Sequence, residues 1–336
     1  MKIWRTILVA AAAAALILLG LTGLLRLGKN DAGEHLVFDN EKYQGLLTVR
    51  YFYLPGDKKM GDAILIQSPE GKTMLIDAGT ELGGALAVNY LKRLGIEHLD
   101  IVLNTHPHED HVGGIGAVAA FRTIGQYMRT HFAYTDSPYY RNSMKAIENK
   151  KIPVQIIEEG TTFYLGDEVK FEVISPPRGF SEKDIVNYEP KTINHYSAVI
   201  KMTYKNNSFL FTGDIYKERE YQLLASPWKA QLKADVLDVP HHGNGRTSSS
   251  QAFIETVSPK IAVMSQNYGK FHVEHIDPNL IKRYEASNAK VYVTGMHGNI
   301  LITSNGNELN VYTEYDGTEL IHPATGENVN TAAIEK

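Results

Sequence analysis

Apolar and polar positions alternate in short runs over residues 47–54, 63–67 and 73–77, separated by Pro55-Gly56-Asp57 and Pro69-Glu70-Gly71, whose composition is that of turns. A β-meander is therefore expected to open the domain. Over residues 81–94 the spacing changes, with Leu82, Ala85, Leu86, Val88, Leu91 and Leu94 recurring at helical intervals. Gly95 then stops the helix before a new apolar run at 99–104. The second half repeats this alternation. Strands are predicted at 169–174, 198–204, 208–212, 236–239, 261–265, 290–294 and 300–304, and helices at 217–224, 249–257 and 278–286. Such a pattern predicts a mixed α/β fold with two sheets. No internal repeat interrupts it, and residues after about 311 lack periodicity.

The amino end reads differently. Residues 6–25 form an uncharged run of twenty, with Lys2 and Arg5 ahead of it and Arg26 and Lys29 behind. A bilayer-spanning helix needs about 20 apolar residues. A cleavable secretory signal has a core of roughly 7–15 followed by a small-x-small site. Here Leu24-Leu25-Arg26-Leu27 follows instead, so an uncleaved signal anchor is expected, with the remainder of the chain extracytoplasmic, or secreted if the segment is cut. The division that results is an anchor over 1–26, a linker over 27–45, one domain over 46–310 and a tail over 311–336.

Composition narrows the classes. With 43% apolar and 21% charged residues in a chain of 336, a full core is affordable and a disordered chain is excluded. A net charge of −4 provides no global field for nucleic acid, although a metal site binds phosphate locally. Cysteine is absent, which removes disulfides and thiolate ligands.

The chemistry concentrates directly after the apolar run at 99–104. His106-Pro107-His108-Glu109-Asp110-His111 packs three histidines and two carboxylates into six residues, whereas the whole chain has 13 histidines. A loop leaving a strand turns alternate side chains toward one point, so His106 and His108 reach one cation, and Asp110 and His111 face a second. Imidazole and carboxylate ligands suit Zn²⁺ first, and also Mn²⁺ or Fe²⁺. Two more strand ends carry ligand-type residues. The run 209–212 ends in Gly213-Asp214, and 236–239 leads through Pro240 into His241-His242-Gly243. Asp214 can bridge two cations through its two oxygens.

Together with Leu75-Ile76-Asp77-Ala78-Gly79, these segments resemble the metallo-β-lactamase superfamily. Within it, Gly61-Asp62-Ala63, the Asn-x-x-Ser at 194–197 and the stretch from His275 through Tyr292-Val293-Thr294 are similar to the hydrolase domain of ComEC-type DNA-uptake proteins. The resemblance covers residues 47–305. It implies a four-layer αβ/βα sandwich with a dinuclear site at one edge. His106 and His108 would hold the first metal, Asp110, His111 and His242 the second, and Asp214 would bridge. Asp77 would support the ligand loop from behind. The first metal's further ligand falls on either Asn194 or His195, because many members place a histidine there and this chain reads Ile193-Asn194-His195-Tyr196-Ser197. ComEC-type proteins also carry a many-helix channel, and this chain has a single span.

Two cations sharing a water lower its pKa toward neutrality. Asp110 would orient that nucleophile, and His241 or His275 would protonate the leaving group. His275 equally fits a cap of the helix at 278–286. His272 and His297 read as surface or loop residues, residues 247–250 as a helix cap, and Tyr134, Tyr139 and Tyr140 as either a lid facing substrate or a packed loop. The expected function is hydrolysis of a phosphodiester, in DNA, a nucleotide or an envelope polymer. The alternatives are a β-lactam or carboxyl-ester hydrolase, or a non-catalytic component of a DNA-uptake or envelope complex.

Overall fold

The computed structural model describes residues 31–55, 61–185, 187–266, 277–318, 320–321 and 328–329. The expected anchor at 6–25, and also His272 and His275, lie outside the described residues. Among the described residues no helix is long and apolar enough to cross a membrane.

The chain lays down β1 (Leu47–Tyr51), β2 (Ile64–Gln67), β3 (Thr73–Ile76), β4 (His98–Asn104), β5 (Thr123–Arg129) and β6 (Val154–Ile156). It continues with β7 (Thr162–Leu165), β8 (Val169–Ser175), β9 (Val199–Tyr204), β10 (Asn207–Phe211), β11 (Val236–Asp238), β12 (Ile261–Met264) and β13 (Lys290–Val293). Last come β14 (Ile300–Ser304) and β15 (Leu309–Thr313), followed by a small ribbon of β16 (Leu320–Ile321) and β17 (Asn328–Val329). One sheet has eight strands in the order β15-β14-β1-β2-β3-β4-β5-β6, and the other has seven in the order β13-β12-β11-β10-β9-β8-β7.

Strand periodicity divides the core into three layers of side chains. Val49, Ile66, Met74 and Leu103 of the first sheet meet Phe171, Ile200, Phe209 and Val263 of the second between the sheets. On the opposite face of the first sheet, Leu65, Leu75 and Val102 pack against Leu91, Val118 and Ile147. These three belong to α2 (Glu81–Arg93), α4 (Ile115–Phe121) and α5 (Pro138–Asn149); α1 (Asp31–Phe38) precedes them in the chain, and α3 (Glu109–Val112) lies between α2 and α4. The outer face of the second sheet packs Leu210, Leu237 and Ala262 against Leu223, Phe253 and Leu280. Those side chains lie on α7 (Lys217–Leu224), α8 (Gln251–Val257) and α9 (Pro278–Ala286), with the short α6 (Pro190–His195) ahead of them and α10 (Thr294–His297) after.

Both sheets are parallel in their later portions: β3 to β6 in the first, and β10 to β13 in the second. Parallel strands point their carboxyl ends the same way, so the loops after β4, β10 and β11 come from aligned strand ends, where α/β folds place sites.

Elements on both flanks of the span expected as the domain pack against it. The linker span contains α1, whose Val37 joins Tyr43 and Leu301 in a small core, and whose Glu34 pairs with Arg93 at 2.5 Å. The tail span begins inside β15, which pairs with β14 over its whole length. A face that is only half buried on β15 explains why apolar periodicity did not mark it.

Candidate metal centre

Asp77 follows β3 with a left-handed φ of 56° and is fully buried. Its carboxylate organises the ligand loop. Oδ1 accepts from Asn104 Nδ2 and the Thr105 backbone N–H, both at 2.8 Å, and Oδ2 accepts from Thr105 Oγ1 at 2.6 Å and His111 Nδ1 at 2.8 Å. The proton positions then follow. A carboxylate only accepts, so His111 keeps a proton on Nδ1, and Nε2, the nitrogen that would give up its proton to a cation, faces outward. Thr105 spends its hydroxyl proton on Asp77, so it accepts from His106 Nδ1 at 3.0 Å, which leaves His106 Nε2 as a lone pair. His242 Nδ1 lies 3.1 Å from the Ser265 carbonyl, which turns Nε2 of a third imidazole outward in the same way.

The freed atoms converge. His106 Nε2 is 3.0 Å from His108 Nδ1 and 3.6 Å from Asp214 Oδ2. His111 Nε2 is 3.3 Å from Asp214 Oδ1, and His242 Nε2 is 3.6 Å from Asp214 Oδ2 and 3.7 Å from Asp110 Oδ2. Two ligand groups result: His106, His108 and Asp214; and His111, Asp214, His242 and Asp62. His111 Nε2, His242 Nε2 and Asp214 Oδ1 are buried and make no hydrogen bond. Native interiors leave few such atoms unsatisfied. Several of them pointing at one spot, all ligand-type, is the arrangement a cation resolves, so the donor set fits divalent metal.

The backbone is shaped for this. Gly213 adopts φ +48°, and a Cβ there would overlap Ser197 Oγ, the group that accepts from the Asp214 backbone N–H at 3.2 Å. Gly114, after the histidine run, lies so close to Ala78 O that no side chain fits. His241 and His242 both have positive φ, 52° and 54°, which costs non-glycine residues of order 1–3 kcal/mol each and is found where function demands it.

Electrostatics agree with the geometry. Burial pushes the His106 imidazole well below its ordinary pKa, and neighbouring His111 adds to this, so it is neutral and ready to ligate. Burial also opposes charge on His111 and His242, but Asp214, with Asp77 for the first and Asp62 for the second, outweighs it and raises both well above the ordinary value. The Asp214 carboxyl is held well below its usual range, burial being outweighed by His111, His242, His241 and His106. Protons therefore occupy in the apo site the places that a cation takes.

Around this cluster lies a cleft of about 580 Å³. His241 lines it, with Nδ1 held by Thr247 Oγ1 at 2.7 Å and Nε2 at 3.8 Å from Asp214 Oδ2. Asn194 also lines it, and its buried Oδ1 has no hydrogen bond. His195 does not line the cleft; it is half-buried with its ring edge-on to Tyr196. Tyr134 and Tyr139 face the cleft, whereas Tyr140 is buried in the helix-covered core. His297 lies apart, bonded to Val293. Within residues 247–250, Ser250 caps α8 by accepting from the Phe253 N–H, and Thr247 orients His241.

The residue whose part went unassigned is Asp62. Its Oδ1 is 3.3 Å from His242 Nδ1 and its Oδ2 is 3.9 Å from His111 Nδ1, so it sits behind both imidazoles and steadies their outward-facing nitrogens. Its backbone N–H donates to Asp110 O.

Residues 56–265 match the metallo-beta-lactamase superfamily. The chain belongs to that superfamily. It is similar to ComE operon protein 3 of Bacillus subtilis (strain 168), with 23% identity over 285 residues, 79% of this chain and 34% of that protein. Competence protein ComA of Neisseria gonorrhoeae is 27% identical over 244 residues, 72% of this chain and 30% of its own length. The chain thus spans about a third of each of these relatives. A solved diphosphatase from the PhnP family shares 12% identity, with a TM-score of 0.45 over 80% of this chain and 99% of that one. The likeness to ComEC-type proteins read from the motifs is therefore found over most of the chain, at low identity.

Proposed function

We propose that this chain is a two-metal hydrolase of phosphodiesters, held at the membrane by residues 6–25 with its hydrolase domain outside the cytoplasm. The observation that carries this reading is the convergence of imidazole Nε2 atoms on the two oxygens of Asp214. His106, His108 and Asp214 would hold one cation, with Asn194 rather than His195 completing it, and Asp110, His111, His242 and Asp214 would hold the other. Two divalent cations, with Zn²⁺ ahead of Mn²⁺ and Fe²⁺, supply Lewis acidity and a water of lowered pKa when bound.

The protein's own groups do the rest. Asp77 and Asp62 fix the imidazoles from behind, so the cluster needs little rearrangement on loading. Asp110 orients the attacking water. His241, positioned by Thr247 at the cleft wall, passes a proton to the departing oxygen, a role that requires hydrogen-bond reach. An Asp bridge without any cysteine supports phosphoester over lactam chemistry. Protein loaded with Zn²⁺ or Mn²⁺ should cleave bis-p-nitrophenyl phosphate, and lactam turnover without phosphodiester cleavage would overturn the reading.

A further inference from the structure

The wall of the cleft beside the metal ligands is aromatic. Tyr134 and Tyr188 both line it and stack on one another with ring centroids 5.1 Å apart at 13°. Neither ring stands alone. Tyr188 meets Phe132 edge-on at 6.0 Å, Phe132 packs on Phe180 at 6.2 Å, and Phe180 stacks on Tyr196 at 3.8 Å. This cluster, with buried Ile193 one residue from Asn194, ties the tyrosine pair to the segment that reaches the metal site. Tyr216, two residues past Asp214, adds another ring to the lining, 4.9 Å from His241.

Charge in the cleft is one-sided. Beyond Asp110 and Asp214, its described lining carries Glu109 and Asp136, and no lysine or arginine. Nearby cations are turned elsewhere: Arg141 donates to the carbonyls of Thr135 and Asp136, and Lys217 to those of Gly245 and Arg246. Arg246 is exposed beside Thr247 and is not part of the lining. A protein that tracks a nucleic-acid strand pairs aromatic platforms with a basic groove along successive phosphates. Among the described residues the platform is present without the groove. Two cations suffice for the one phosphate that reacts, and the described lining offers further phosphates acidic rather than basic side chains, Glu109 and Asp136.

Resting on the hydrolase reading above, we infer that the substrate is a small phosphodiester carrying a flat aromatic ring next to its single phosphate, as in a cyclic mononucleotide. The Tyr134–Tyr188 pair is its stacking platform, and these two tyrosines are specificity residues. A long polyanionic strand or a glycerol-phosphate polymer fits this cleft less well.

The test uses the full-length Zn²⁺-loaded protein and four substrates: bis-p-nitrophenyl phosphate, a 3′,5′-cyclic mononucleotide, glycerophosphocholine, and a single-stranded oligonucleotide blocked at both ends. The cyclic nucleotide should exceed both the glycerol diester and the oligonucleotide, per phosphodiester, by about tenfold or more in kcat/KM, the scale of one ring stacked on an aromatic side chain. Tyr134→Ala and Tyr188→Ala should raise KM for the cyclic nucleotide by about tenfold while kcat changes much less, and the loss on the glycerol diester, which offers the pair no ring, should be several-fold smaller. Tyr134→Phe and Tyr188→Phe, which keep the ring, should restore wild-type KM. Cleavage of bis-p-nitrophenyl phosphate with no preference for the cyclic nucleotide, or equal losses on both small diesters in the alanine variants, overturns this inference and leaves the hydrolase reading standing. Failure to cleave any of the four overturns both.

Discussion

Replacing Asp77 by asparagine isolates the charge that organises the metal centre. Asparagine tolerates the left-handed backbone at this position and has the same shape, so neither strain nor a cavity contributes. Its carbonyl oxygen can keep the two bonds from Asn104 Nδ2 and Thr105 N–H. Its amide then faces Thr105 Oγ1 and His111 Nδ1, which are both donors in the wild type. Two hydrogen bonds to a buried carboxylate are lost, each worth about 1.5–3 kcal/mol, which gives an upper figure of about 3–6 kcal/mol. Rotation of the Thr105 hydroxyl recovers one of them but disturbs its acceptance from His106 Nδ1. The net loss of stability should therefore be about 2–5 kcal/mol in the apo protein. The sharper consequence is chemical: without an acceptor at Nδ1, His111 moves its proton to Nε2 and withdraws the lone pair from the site. Affinity for Zn²⁺ should fall about 10–100-fold, as for other partners that orient metal-bound histidines. Urea unfolding of the apo protein gives the first quantity, and chelator competition followed by elemental analysis gives the second. Wild-type metal affinity in Asp77→Asn, together with a stability change below about 0.5 kcal/mol, would refute the tautomer argument.

Two further outcomes are expected. Burial pushes the Lys201 ammonium down to about 8 from 10.5 despite Asp235 and Glu172, and its Nζ donates to the Lys233 carbonyl. The unfolded chain binds the extra proton between those values, so this group's contribution to stability rises with pH across that window and is constant below it. The stability of Lys201→Met relative to wild type, followed by urea unfolding, should accordingly decline between pH 8 and 10; a pH-independent difference would contradict the assignment. Membrane fractionation tests the proposed anchor: the full chain should resist carbonate extraction, and a chain lacking residues 1–30 should be released.

What the sequence makes legible follows from how densely each signal is written. The ligand run at 106–111 and the paired histidines at 241–242 identify themselves, because each follows an apolar strand and each crowds ligand-type residues together. Asp214 is legible only in their company. Asp62 is a lone carboxylate after a glycine with no ligand-type neighbour, and its place behind His242 and His111 depends on pairing across the chain that no local pattern encodes. Asn194 and His195 differ by one step at the end of a short helix, and that step decides which of them faces the cleft. The elements between 112 and 165 are faint for a related reason. β5 exposes most of its amino-terminal half, and the buried face of α5 mixes Tyr140 and Ile147 with Ser143, which donates to Val112 O. The tyrosines at 134 and 139 line the cleft while Tyr140, one step further along α5, is core, a difference that no local pattern encodes.

The central proposal is that two cations gathered around Asp214 drive phosphodiester hydrolysis. The most direct measurement titrates the apo protein with Zn²⁺ while following bis-p-nitrophenyl phosphate cleavage, in the wild type and in Asp214→Asn. The account predicts activity that rises to a plateau at two equivalents in the wild type, and at least a hundredfold less, roughly, with impaired metal retention in the variant. Full metal loading with no phosphodiester cleavage at any stoichiometry, or an Asp214→Asn protein that is as active as wild type, would contradict it.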